Sequence, residues 1–371
     1  MNKPEAVICI GGGASQLPLI KEISDLEYTL IVIDRNKESP GFQYADEIIQ
    51  LSTFDCEPII ESIKKFQDKY KFVGIVNRSS GIPVITTSCI AKYLNLPNIS
   101  PQMATTIVNK DLLRIFCKDH QVLIPDFKIH HPKEKLSSDN LNFPVIAKPA
   151  LSMVGKSGVS VANSQIELQS ALDNAIKFSV TKTALIESFV EGIDIELVGF
   201  VKNKKLEVFC MVEEINLMRK SGEIYGKGMK IYDESSNQHL ASLCIEASNK
   251  IIDLFNIEHS PFMSAFRVNS SGAYLIELHL DIGGDLLLEH LLPYSLSCNY
   301  AKVILNYCIN SNYSLKKTDL LPAAIIFDEG SNLVTEKSFN LIKADNFLEL
   351  DRLVNIAMNA PRDNPTSNKL T

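Results

Sequence analysis

The sequence predicts an α/β protein that opens with a small parallel sheet, and three observations carry that expectation. An apolar run from Ala6 to Ile10 ends in Gly11, Gly12 and Gly13, a second run, "TLIVID", ends in Asp34, and two more, "EIIQL" and "FVGIVN", follow. Stretches with helical periodicity separate them, one from about Leu17 to Ile23 and one near Pro58 to Tyr70. Strands alternating with helices make an open sheet covered on both faces.

The remaining elements follow in order. "NRSSGIPVITTSCIAKYLNLPNISPQMATTIVNK" leads out of the first unit, with Pro97 and Pro101 bracketing the passage. A helix from about Lys110 to His120 sets Lys110 and Arg114 one turn apart. The strand "FPVIAKPA" then holds Lys148 among apolar neighbours, where a charge requires an anionic partner or a wet cleft. Next come the glycine loop "LSMVGKSGVSV", a helix near Gln165 to Phe178, the strand "ALIESFV" and the turn "EGIDIELVGFV". In "YLIELHLDIGGDLLLEH" the strand period of two places Glu277, His279 and Asp281 on one polar face, with Ile276, Leu278 and Leu280 on the other. "LLPAAIIFDEGSNLVTEKSF" reads as strands and turns of a small closing unit, and "NAPRDNPTSNKLT" as a frayed tail. The expected division is 1–100, 101–310 and 311–371.

Composition narrows the function classes. At 371 residues, with 45% hydrophobic and 22% charged residues, the chain suits a globular protein of two or three subdomains. A net charge of -7 argues against nucleic acid as a partner. No apolar run approaches the roughly 20 residues that span a bilayer, so a cytoplasmic, non-membrane protein is expected. The 8 cysteines are dispersed without a C-x-x-C pair, as reduced, mostly buried thiols would be.

Two glycine signals fail their own spacing tests. Gly11 and Gly13 would need a third glycine where Gln16 stands to form a dinucleotide fingerprint with Asp34, and "VGKSG" lacks the leading glycine of a phosphate-binding P-loop. Taken singly, Lys148 also suits a snorkelling lysine at a strand end, Glu187 a solvent-facing acid, and Gly155 and Gly158 an ordinary turn.

Together and in this order, Lys110 before its helix, "FPVIAKPA", the glycine loop, "IESFVEGIDIELVGF" and "GAYLIELHLDIGGD" resemble the ATP-grasp superfamily, over residues 6 to about 310. The resemblance implies the ATP-grasp α+β fold: an N-terminal open parallel sheet, then two lobes with antiparallel sheets clasping ATP. It implies that Lys110 and Lys148 neutralise phosphates, that Gly155, Lys156, Ser157 and Gly158 cover them, that Glu187, Ser188, Phe189 and Val190 edge the adenine, and that Asp194 accepts the ribose hydroxyls. The implied cofactors are ATP and Mg²⁺ or Mn²⁺.

At the metal end the sequence departs from the family. Glu277 matches a metal ligand, His279 stands in place of an amide ligand, Asp281 in place of an arginine, and Ala265 where another acidic ligand belongs. Two readings follow: Glu277 and Asp281, with His279 or Asp285, form a rearranged metal site, or the site has lost catalysis while keeping the fold and its nucleotide. Arg267 is a candidate for the missing catalytic cation, and Arg219, Lys220, Lys227 and Lys230 for holding an acceptor anion. The expected activity is ATP-dependent ligation of a small carboxylate, activated as an acylphosphate, to an amine. A catalytically weakened nucleotide- or substrate-binding homologue, a carboxylase-like or nucleotide-biosynthetic enzyme, and a dinucleotide enzyme stay open, as does assembly into a homodimer.

Overall fold

The computed structural model describes residues 3–132, 134, 141–152, 155–284, 286–309, 313–316, 318–328 and 338–359. The expected tail from residue 360 onward, Asp285, and Met153 and Val154 of the glycine loop lie outside these residues.

Strands β1 (Glu5–Ile10), β2 (Thr29–Ile33), β3 (Glu47–Ile49) and β4 (Lys71–Asn77) form the expected parallel sheet, ordered β3-β2-β1-β4. Both faces are buried, which explains why its strands are continuous apolar runs. Ala6, Ile8 and Ile10 pack against helices α2 (Cys56–Lys64) and α3 (Ile82–Leu94), while Val7 and Cys9 face α1 (Leu17–Ser24). The expected helix near Pro58 to Tyr70 is shorter, ending at Lys64 in turns from which Tyr70 re-enters the core. Helix α3 carries Val84, Ile85, Thr86, Thr87 and Ile90, a β-branched run that masks it in the sequence.

Helices α4 (Pro101–Val108) and α5 (Lys110–Asp119) lead to a second sheet. Its strands β5 (Phe127–His130), β6 (Val145–Pro149), β7 (Ser160–Ala162) and β8 (Ala184–Ser188) run antiparallel in the order β5-β8-β6-β7. Helix α6 (Gln165–Phe178) covers it with Leu168, Ala171, Leu172 and Ala175. Ser164 caps α6, its Oγ accepting from the Glu167 amide, and the Glu167 carboxylate reaches back to accept from the Asn163 amide just before the cap.

The third sheet has seven strands: β9 (Ile193–Lys202), β10 (Lys205–Met218), β11 (Ile224–Ile231), β12 (His259–Asn269), β13 (Gly272–His279), β14 (Ala323–Phe327) and β15 (Phe339–Lys343). Their order is β13-β12-β9-β10-β11-β14-β15, so the segment expected as a closing unit extends this sheet through β14. One face, with Ile195, Leu197, Phe262, Phe266 and Leu275, packs on α7 (Gln238–Phe255) and on α4 and α5. Each such fully buried apolar side chain contributes roughly 1.5–3 kcal/mol. The opposite face is apolar at one end, where Val198, Phe200 and Val212 meet the Leu287–Leu291 stretch, α8 (Leu292–Ser295) and α9 (Tyr300–Ile309). At its other end it carries Asp194, Glu196, Glu214, Arg267 and Glu277. That polar end positions the site. Helix α10 (Phe347–Asn359) covers β14 with Leu350 and Val354.

Candidate functional site

Lys148 and Glu187 sit on the neighbouring strands β6 and β8, both almost fully buried, with Lys148 Nζ 2.8 Å from Glu187 Oε2. The second carboxylate oxygen accepts from Arg114 Nε at 2.8 Å, and Arg114 Nη2 donates to the Ile276 carbonyl at 2.8 Å, tying the second sheet to β13. Burial works to raise the Glu187 carboxyl, but Arg114 and Lys148 outweigh it and hold the group below its ordinary value. Burial pulls the Lys148 ammonium down to about 8, against the attraction of Glu187. Glu187 is therefore a buried structural anion rather than a surface acid, and Lys148 is a paired interior cation rather than a snorkelling one. Arg114 was not among the expected site residues; its signal was its place one turn after Lys110.

The expected adenine edge is only partly a strand. Strand β8 ends at Ser188, whose amide donates to the Asp126 carbonyl at 2.9 Å, and Phe189 and Val190 lie in the link to β9. Phe189 faces the Arg267 guanidinium at 5.9 Å.

In the glycine loop, Lys156 adopts φ 58° and its ammonium pairs with Glu214 at 2.6 Å. Gly158, at φ +79°, is pressed so close to Pro149 and Phe178 that a Cβ would meet them at 3.0 and 3.1 Å. Gly155 faces open space, and Ser157 lies within the same turn. Beyond the loop the edge of the second sheet is fastened to the β10–β11 hairpin. The Val161 amide donates to the Gly222 carbonyl at 2.8 Å, and the Ile224 amide to the Val159 carbonyl at 3.0 Å.

Asp194, at the start of β9, is held by Arg267 at 2.8 Å and accepts from Asn216 Nδ2 at 2.8 Å. Burial pushes its carboxyl up, with Arg267 opposing. Arg267 is thus spent on orienting Asp194 and on the Gly192 carbonyl, at 3.0 Å, instead of facing the position of Asp281. Glu214 and Asn216 were also missed by sequence reasoning, since their partners lie 58 and 22 residues away.

The metal end differs most from expectation. Ala265 is in register with Glu277 on one side and Glu196 on the other, so the alanine that stands where the resemblance expects an acid lies in the middle of that row. Glu277 Oε1 lies 2.7 Å from Lys110 Nζ. Burial works to raise the Glu277 carboxyl, but Lys110, and after it His279, hold it well below the usual carboxylate range. The strand ends at His279, so Asp281 does not continue its polar face. Asp281 is 2% exposed, and its two oxygens accept from the Gly283 amide at 3.0 Å and from Ser80 Oγ at 2.9 Å. It locks the glycine turn onto the N-terminal sheet. His279 stands 3.9 Å from both Glu277 and Asp281. Among the described residues no three His, Cys, Asp or Glu side chains are placed to hold one metal ion. The donor set Glu277, His279 and Asp281 does not fit Mg²⁺, which requires near-octahedral oxygen ligands at about 2.0–2.1 Å.

The basic loop and the N-terminal glycines have structural employment. Lys227 Nζ donates to the Phe327 carbonyl at 2.5 Å, and Lys230 pairs with Asp351 at 2.7 Å and Glu213 at 3.1 Å, fastening β14 and α10. Arg219 pairs locally with Glu223, and Lys220 lies exposed at the hairpin tip. Asp34 Oδ2 accepts from the Gly12 amide at 2.9 Å, so the acid of the supposed dinucleotide fingerprint closes the glycine turn itself.

A family model described as D-ala D-ala ligase C-terminus matches residues 115–257, a span that includes Lys148, the glycine loop, Glu187 and Asp194 and ends just before β12. A D-alanine–D-alanine ligase of Helicobacter pylori (strain HPAG1) is 32% identical over 133 residues, 34% of this chain and 37% of that one. The chain thus spans little more than a third of that relative's length. An L-amino acid ligase from Bacillus licheniformis superposes with a TM-score of 0.76 at 15% identity, covering 95% of this chain and 97% of that one. The ADP complex of an N5-carboxyaminoimidazole ribonucleotide synthetase, purK, does so with a TM-score of 0.71 at 16% identity, covering 96% and 98%. A parallel sheet followed by two antiparallel sheets is the fold this chain shares with these ligases, which is the ATP-grasp fold.

Proposed function

We propose that this chain is a cytoplasmic, ATP-dependent ligase that activates a small carboxylate as an acylphosphate and couples it to an amine. The observation that carries the reading is that Lys110 and Lys148 are fixed on neighbouring carboxylates where the second sheet meets β13, while Lys156 of the glycine loop is fixed on Glu214, which Asn216 joins to Asp194. Cations fixed in a partly dry cleft suit a polyphosphate, because their attraction is strengthened and needs no reorganisation. Asp194 suits the ribose hydroxyls, and the loop from Gly155 to Gly158 suits closure over phosphate. In the reaction, a carboxylate oxygen attacks the terminal phosphorus and ADP leaves; an amine nitrogen then attacks the acyl carbon and phosphate leaves. The chain's part is to position both reactants and to balance charge.

A catalytically weakened, nucleotide-binding homologue is the second reading, favoured by Ala265 opposite Glu277 and by the sequestered Asp281. ADP release from ATP, screened across amino acids and small carboxylates, separates the two. The ligase reading expects substrate-dependent ADP formation, abolished by Lys148→Ala. A nucleotide-induced rise in melting temperature without any ADP release selects the second reading, and no rise at millimolar ATP overturns both.

A further inference from the structure

We infer that the phosphate end of this cleft has exchanged a divalent metal for a lysine, so that nucleotide binds without divalent cation, with Lys110 anchored on Glu277 as the fixed positive charge. The inference rests on the proposed nucleotide site and concerns how that site handles charge.

Four observations converge on it. First, Ala265, the residue in register with Glu277 across β12 and β13, offers no oxygen. Second, Glu277 is already engaged: Lys110 Nζ approaches its Oε1 at 2.7 Å, a charge-assisted contact that an incoming ion would have to displace. Lys110 is not a loose surface group, since it is the first residue of α5, its amide donates to the Ala150 carbonyl at 2.8 Å, and its side chain is 13% exposed. Third, Asp281 is buried behind the strand end with hydrogen bonds to both oxygens, and moving it to a metal would unlock the glycine turn from Ser80. Fourth, Glu196, the remaining carboxylate of the row, stands two strands from Glu277, roughly 9.5 Å at the usual strand spacing. An ion shared by Glu196 and Glu277 would have to sit over Ala265 and compete with Lys110.

A lysine ammonium is a compact point charge that binds phosphate oxygens without demanding octahedral geometry. Lys148 and Lys156 are fixed in the same way, each on its own carboxylate, Glu187 and Glu214, so the ammonium groups are positioned in advance for the oxygens of a nucleoside diphosphate.

Isothermal titration of the full-length protein with ADP, once in EDTA and once in millimolar MgCl₂, tests the inference without any dependence on turnover. The expected dissociation constants agree within about threefold. Lys110→Ala should weaken binding at least tenfold in both buffers, and Lys110→Arg should retain most of it, which a merely structural lysine would not distinguish. Ala265→Glu, which restores a carboxylate opposite Glu277, should create a magnesium dependence absent from the parent. ADP that binds the parent more than tenfold tighter in MgCl₂ than in EDTA overturns the lysine-for-metal exchange and leaves the nucleotide site intact. ADP that binds in neither buffer overturns the nucleotide reading, and this inference with it.

Discussion

Lys148 carries the sharpest consequence at the scale of a single residue, because its burial sets two pH dependences of opposite sign. In the native protein the ammonium titrates at about 8, whereas in the unfolded chain it holds its proton to roughly 10.4. Between those values the unfolded state binds more protons, so this group's contribution makes the protein more stable as pH rises through that window. Nucleotide affinity should move the other way, since a neutral amine offers a phosphate no charge. If only the protonated form binds, ADP affinity should fall about tenfold from pH 7 to pH 9. In Lys148→Met, affinity should be low and flat across the same range. Titration calorimetry at pH 7, 8 and 9 checks this, and a wild-type affinity that stays constant would mean that Lys148 does not meet phosphate. The importance of Lys148 was legible in the sequence as a charge inside an apolar strand. Its partner was not: Glu187 and Arg114 lie 39 and 34 residues away, and only the antiparallel pairing of β6 with β8 and the docking of α5 bring them together.

At the scale of elements, the edge of the second sheet and the β10–β11 hairpin form one device. Two backbone hydrogen bonds, Val161 to Gly222 and Ile224 to Val159, and the Lys156–Glu214 pair hold the glycine loop against the third sheet. Gly222 is the sensitive point. Its φ is +82°, and a Cβ there would lie 2.3 Å from the Val161 carbonyl oxygen. Gly222→Ala should therefore release the edge at a cost of roughly 1–2 kcal/mol for the left-handed backbone alone. Hydrogen exchange should show it as faster exchange of the Val161 and Ile224 amides, with the α6 amides unchanged. Equal exchange in both proteins would mean that the edge stays closed without the hairpin. The helix and strand inventory around this device was largely legible, because α6 has a capping serine and periodic apolar residues, and β6 an apolar run interrupted by Lys148. The latch was not, since nothing local in "MRKSGEIYG" marks Gly222 as the partner of a strand 61 residues earlier. The ends of strands were also poorly legible. A period of two carries Glu277, His279 and Asp281 along one face, yet β13 stops at His279 because Asp281 turns its carboxylate back to the Gly283 amide.

At the scale of the whole molecule, the N-terminal sheet is joined to the candidate site through one buried guanidinium. Arg78 follows the last residue of β4, its side chain is 4% exposed, and it donates to the carbonyls of Ser15 and Gly283 and to both oxygens of Glu289, one of them at 2.8 Å. It thereby connects the glycine turn of the first sheet, the turn locked by Asp281, and the Leu287–Leu291 stretch that supports β10 and β9. An arginine suits this work, since its planar fork can engage a carboxylate at two points while keeping donors for carbonyls. Arg78→Met should cost about 2–4 kcal/mol, a little below the range for a fully buried pair because Glu289 keeps 23% side-chain exposure. Most of that loss would come from stranding Glu289, so Glu289→Met in the Arg78→Met background should restore at least half of it. Urea unfolding of the wild type, both single variants and the double variant gives the coupling directly. Strict additivity would mean that Arg78 holds the two carbonyls and draws nothing from Glu289. A coupling above about 1 kcal/mol, with a single shared transition in the wild type and two separated transitions in Arg78→Met, would show that this ion pair makes the sheet and the cleft unfold as one body.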